Sequence, residues 1–222
     1  MSYSATPGPS NDWWGVDMSY PVFPVVPDPD GILEVLEWLT DVHEGWSGEE
    51  QRVKLRDQAR RYAEFAFSLH RYDKPLLDAA LFGNVGHEDG GSPDWLKWTV
   101  PVWWDMGFLS ADLPAESTEI PISTPYRDFH GGGLAVVIRR RAGREFSRYR
   151  ALRNEDWEII TIYTVNEGSI VIVGDTESAW EEGDLILPAR VGWLDRPLEV
   201  DDLTDTADGY RGAAAFEMAL EV

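Results

Sequence analysis

Residues Leu33 to Phe67 read LEVLEWLTDVHEGWSGEEQRVKLRDQARRYAEFAF. Apolar and polar residues alternate before Gly45 and again after Arg61, and a charged segment lies between. A strand, a charged turn and a returning strand give this pattern, because side chains on a strand alternate between two faces. Residues 32–42 admit a second reading, since Ile32, Val35, Leu36 and Leu39 also fit a helical stripe. The segment Gly48–Arg60 carries Glu49, Glu50, Arg52, Lys54, Arg56, Asp57 and Arg60, with Val53 and Leu55 alternating inside it. Tyr62–Leu69 predicts a strand offering Tyr62, Phe65 and Phe67 for burial. The stretch contains no catalytic constellation.

Upstream, residues 1–30 are rich in Pro, Ser and Asp. Pro21, Pro24, Pro27 and Pro29 forbid a helix and favour extended chain. Trp13, Trp14, Tyr20 and Phe23 are too apolar for a free tail, so an arm that packs against a surface is expected, on this subunit or a neighbour. Downstream, residues 73–84 (DKPLLDAALFGN) predict a helix. Asp73 stands at the N-cap, Pro75 in the first turn and Gly83 at the stop, and Leu76, Leu77, Ala80 and Leu81 form one face. Trp95–Met106 (WLKWTVPVWWDM) predicts an aromatic extended segment interrupted by Pro101.

The character changes near residue 115. From there to Arg190 short apolar runs alternate with turns: TEIPIS, GGLAVVIRR, FSRYRAL, WEIITIYTV, SIVIVG and DLILPARV. Gly131–Gly133, Asn166–Gly168 and Glu181–Gly183 supply turns. These runs predict a compact antiparallel barrel or sandwich. The run GAAAFEMALEV at the C-terminal end, with Phe216, Met218 and Leu220 alternating, predicts a strand that completes the first sheet. The expected organisation is an extended arm at 1–30, a β-rich domain from 15–112 plus 191–222, and an inserted β module at 115–190. The expected class is mainly β with one or two short helices.

Composition narrows the function classes. Of 222 residues, 43% are hydrophobic, enough for a real core. No apolar run reaches ~18 residues, so no membrane helix is expected. The first residues lack a basic region followed by an apolar one, so no signal peptide is expected. The chain has no cysteine, which removes disulfides and thiolate metal sites and fits assembly in a reducing cytoplasm. Its net charge of −21 would repel phosphate backbones, so stable nucleic-acid binding is disfavoured. That charge serves solubility, or it lines a wall that DNA must pass without sticking.

No motif of catalytic type emerges, and neither a cofactor nor a metal site is expected. His43, His70, His87 and His130 lack the spacing of a helical metal pair. His70 suits a core or interface position, and His130 a turn. No G-x-S-x-G occurs, and Gly131–Gly133 lacks the spacing and Lys of a phosphate loop. Asp201, Asp202, Asp205 and Asp208 do not follow calcium-loop spacing. A glycan hydrolase has the least to recommend it.

Two features suggest contact with other surfaces. The chain has eleven tryptophans, and eight precede residue 105. Core and interface packing accounts for them, because Trp buries a large area. A sugar-stacking platform at Trp95, Trp98, Trp103 and Trp104 is the competing reading, that of a carbohydrate-binding host-attachment module. The second feature is Arg139, Arg140, Arg141, Arg144, Arg148, Arg150 and Arg153, with Glu145 the sole acid among them. A solvated hairpin, an inter-subunit contact with carboxylates and, third, phosphate binding are the readings. The interface candidates are Trp13, Trp14, Trp38, Arg52, Arg56, Trp95, Trp103, Trp104, Arg139, Arg140, Arg141 and Arg144.

The run EWLTDVHEGWSGEEQRVKLRDQARRYAEFAF resembles tail proteins of long-tailed bacteriophages. The matching residues are Trp38–Val42, then Gly48, Glu50, Gln51, Arg52, Leu55, Arg56, Arg60, Arg61 and Tyr62. The helix LLDAALFGN followed by WTVPVWWD is similar too, as is the G-D-x-x-x-P-A-R-V pattern at Gly183–Val191. Together these span roughly residues 20–220 and favour the strand reading of 32–42. The family resembled is that of distal tail proteins. The resemblance implies a tube-forming β domain with a peripheral domain. It also implies a homohexameric ring in the baseplate at the tail tip of the virion. The implied partners are the chain itself, the tail tube protein and the baseplate hub protein. Neither a membrane nor a stably bound nucleic acid is among them.

Overall fold

A computed structural model describes residues 20–28, 30–38, 40–44, 50–54, 59–83, 97–123, 129–140, 152, 154–195, 198–202 and 209–218. They form a mainly β fold with one α-helix.

The deciding stretch is a nested hairpin. Strand β1 (Ile32–Glu37) runs antiparallel to β4 (Arg60–His70), with Ile32 opposite Phe65 and Glu37 opposite Arg60. The segment between them is more than a charged turn. It holds β2 (Thr40–Glu44) and β3 (Glu50–Lys54), which pair as a separate two-stranded sheet. The ladder to β4 decides the 32–42 ambiguity in favour of strand. The helical stripe is not buried either, since Val35 and Leu36 are 44% and 49% exposed.

Along β4, Ala63, Phe65, Phe67 and Leu69 are buried. Tyr62 does not share their side. Strand alternation sends it to the opposite face, where it is half-buried. Expecting Tyr62 to be buried together with Phe65 overlooked this parity. The C-terminal run forms β13 (Gly209–Met218), which pairs with β4 along its whole length. Ala214, Phe216 and Met218 turn inward, and Leu220 lies outside the described residues.

The aromatic segment begins as β5 (Lys97–Pro101) and tightens into a single 3₁₀ turn at Trp103–Asp105. After β6 (Gly107–Phe108) come β7 (Glu119–Pro121), β8 (Leu134–Ile138), β9 (Trp157–Asn166), β10 (Ser169–Ile172), β11 (Leu185–Leu194) and β12 (Glu199–Asp202). Five of the six apolar runs therefore contain strands. The sixth, FSRYRAL, lies outside the described residues except Leu152. Gly132, Gly168 and Gly183 all adopt positive φ, which explains glycine at each expected turn.

All strands except β2 and β3 join one sheet, in the order β1-β4-β13-β11-β8-β9-β10-β7. Strand β12 pairs with β13, and β5 and β6 pair with β11. The path begins at β1 and ends at β7 without closing, so the fold is sandwich-like rather than a barrel. Strand β11 crosses the expected boundary at 190/191 and pairs with both β8 and β13.

A core lies on each face of the central strands. Leu134, Val136 and Ile138 of β8 and Leu185, Leu187 and Ala189 of β11 pack with Phe65, Phe67, Trp98 and Phe216. Ala135, Val137 and Ile186 face the other way, toward Ile120, Ile160, Ile162, Ile170 and Trp180. Burial on both sides explains why LAVVI reads as an unbroken apolar run.

The described part of the N-terminal arm belongs to the first core. Phe23 N–H donates to the Thr99 carbonyl at 2.9 Å, and Thr99 N–H to that of Pro21 at 2.9 Å. The chain then crosses to β4, where Asp28 N–H donates to the Ala66 carbonyl at 2.8 Å. Val22, Phe23, Val25 and Val26 are buried within the chain itself. Helix α1 (Lys74–Gly83) packs Leu77, Ala80 and Leu81 on the same core. Leu76, expected on that face, is exposed.

Candidate functional site

The arginine zone begins where β8 ends. The Arg139 guanidinium donates to the Ala179 carbonyl at 2.9 Å and lies 5.0 Å from the centre of the Trp180 ring. Arg140 gives its backbone N–H to the Asp184 carboxylate at 2.6 Å, and its guanidinium stands 5.8 Å from the Phe108 ring. Asp184 also accepts from Glu181 N–H at 2.9 Å. Glu158 accepts from Glu177 N–H, Ser178 N–H and the Trp180 indole at 2.6, 3.2 and 2.9 Å. Both carboxylates are buried, and these donors offset the cost of burying them. The first two arginines thus bind this turn of their own chain. Arg141, Arg144, Arg148, Arg150 and Arg153 lie outside the described residues.

The tryptophans separate. Trp98 is fully buried and Trp103 is 3% exposed, so neither ring can receive a sugar. Trp104 is half-buried, tilted against Phe65 with ring centres 6.4 Å apart. Trp13, Trp14 and Trp95 lie outside the described residues. Trp38 is 56% exposed at the end of β1. Arg52 sits on β3, and Arg56 is not among the described residues.

On β1 an exposed apolar surface appears that was not among the interface candidates: Leu33, Val35 and Leu36 are exposed, and the candidate Trp38 follows them just beyond the strand. Strand registers align Val35, Tyr62, Glu217, Trp193 and Lys97 in one row across β1, β4, β13, β11 and β5. This row lies on the sheet face away from the first core. Arg60 lies 3.6 Å from Glu217 there, and the Tyr62 hydroxyl, then Glu217, hold its guanidinium above its ordinary pKa. On the other face Arg61 pairs with Glu34 at 3.0 Å. In the sequence the exposed residues look like any half-buried strand. What reveals them is that β1 ends the sheet path.

Of the histidines, His70 stacks on Tyr72 with ring centres 5.0 Å apart, and the His130 carbonyl accepts from Gly133 N–H in a turn. His43 lies on β2, and His87 is outside the described residues. Among the described residues no group of three or more His, Asp or Glu could hold a metal ion, and no helix is long and apolar enough to cross a membrane. Asp201 and Asp202 lie on β12, while Asp205 and Asp208 are outside the described residues. No protein-family model matches the chain, and no curated protein matches it.

Proposed function

We propose that this chain is a structural protein of a bacteriophage tail tip, forming a ring that joins the tail tube to the baseplate hub and lets DNA pass. The observation that carries the reading is the resemblance of Trp38–Val42 and Gly48–Tyr62 to the distal tail protein family. Two physical features support an assembly role. Among the described residues β1 is a sheet edge with Leu33, Val35 and Leu36 in the open and exposed Trp38 just beyond it, an invitation to pairing that natural proteins normally blunt or cover. A charge of −21 suits a conduit wall that DNA passes without adhering.

Identical copies close most readily with cyclic symmetry. The expected outcome is a ring, a hexamer by the resemblance, seen by sedimentation velocity and negative-stain imaging of the purified chain alone or with tail tube protein. Antibody against the chain should label the tail tip of intact particles. A monomer at every concentration, indifferent to tube protein and absent from particles, overturns the reading.

A further inference from the structure

We propose that the pocket between the Gly131–Gly132 turn and Tyr163 is a carbohydrate-binding site that takes one neutral hexopyranose unit of a polysaccharide. The proposal does not depend on the tail-ring reading.

Three local features converge on Tyr163. The first is a bulge. Strand β10 pairs Val171 with Thr164 and Ile172 with Ile162, so its register skips Tyr163. A bulge of this kind re-aims the side chain of the extra residue. Tyr163 is 65% exposed, while its neighbour Ile162 is fully buried.

The second feature is the glycine pair. A Cβ on Gly131 would stand 2.8 Å from the Tyr163 carbonyl oxygen, so only glycine lets the turn lie against the bulge. Gly132 has φ +83°, again a glycine conformation. Its N–H donates to the Ile162 carbonyl at 2.7 Å, which fixes the turn beside the ring.

The third is the space that results. An open cavity of about 450 Å³ is lined by Gly131, Gly132, Ile162, Tyr163 and Thr164. That lies in the lower range of small-ligand sites, ~300–1,000 Å³.

The lining selects the ligand class. A pyranose has one face of C–H groups that stacks on an aromatic ring, and a rim of hydroxyls that need polar partners. Tyr163 offers the ring, and the turn's carbonyl groups and Thr164, which also line the cavity, offer polar partners for the rim. Among the described residues no charged side chain lines the cavity, which favours a neutral sugar over a phosphate or an acidic one. The open mouth suits a unit within a longer polymer. One ring and a few hydrogen bonds make a weak site, in the millimolar range.

The test is saturation-transfer NMR on the whole chain, read on the sugar so that a monomer or a ring serves equally. Glucose, galactose, rhamnose and N-acetylglucosamine are each titrated to ~50 mM, well above a millimolar dissociation constant. Saturable transfer to at least one of them is expected. Tyr163→Ala, at an exposed position, should fold normally and weaken binding about tenfold, whereas Tyr163→Phe keeps it. Absence of saturable transfer with all four sugars, or equal binding by Tyr163→Ala, overturns the site. Neither result bears on ring formation, which sedimentation reads separately.

Discussion

Glu158 shows what a single side chain contributes to this fold. Three donors converge on its two oxygens, two of them backbone N–H groups. Glu158→Gln keeps the shape but turns one acceptor into a donor facing donors. It should cost about 1–3 kcal/mol, the range for a buried group left unsatisfied, measured by urea denaturation. Gly31 makes a steric counterpart. A Cβ there would meet the Ala66 Cβ at 2.6 Å and the Ala66 carbonyl oxygen at 2.8 Å. The Ala66 N–H donates to Gly31 at 2.7 Å, so the two backbones cannot separate without losing that bond. Gly31→Ala should therefore lower stability by about 1–3 kcal/mol in thermal melts. Neither residue was legible in the sequence. Glu158 is one of forty acids, and nothing local distinguishes a carboxylate that organises a turn from one that is solvated.

At the scale of elements, the sequence was legible wherever local pattern and tertiary pairing agree. The runs LAVVI, WEIITIYTV and SIVIVG are strands, and the helix at Lys74–Gly83 lies where its caps predict. Legibility ended where the outcome depends on which strand lies beside which. Nothing within β1 says that, among the described residues, it has a neighbour on one side alone, so the exposure of Leu33 and Val35 could not be read from its pattern. The position of Tyr62 failed for a related reason, because a run of aromatics two and three residues apart cannot share one strand face. The same reasoning makes β1 testable. Val35 is 44% exposed and opposite Tyr62, between the diagonal neighbours Arg60 and Glu64. Val35→Lys places a charge of the kind that guards natural sheet edges. It should change monomer stability by no more than about 0.5 kcal/mol, as exposed substitutions do, while weakening self-association. Melting by circular dichroism and sedimentation velocity on the same sample separate the two effects. Unchanged assembly would remove β1 from the interface.

For the whole molecule, charge sets the terms on which copies of the proposed ring would assemble. Each copy carries −21, so copies repel at long range, and added salt relieves that repulsion. Contacts between arginines and acids of opposite copies have the reverse dependence, since salt weakens exposed pairs. The sign of the salt response therefore reports which contribution dominates. The segment from Leu194 to Val222 holds eight acids against Arg196 and Arg211, which offers the arginine zone a complement. Arg139 is a poor probe of this contact. It holds the Ala179 carbonyl and covers the Trp180 ring, so Arg139→Ala should cost the monomer roughly 1 kcal/mol by itself. Arg140 is the cleaner probe, because its structural bond to Asp184 runs through the backbone and survives side-chain truncation. If the zone meets a neighbour's acids, wild-type assembly should weaken as salt rises from ~0.05 to ~0.5 M, over which the Debye length falls about threefold, to about 4 Å. Arg140→Ala should assemble less well at low salt, and its salt dependence should flatten or reverse as only repulsion remains. Identical salt profiles for wild type and variant would show that Arg140 meets solvent in the assembled state.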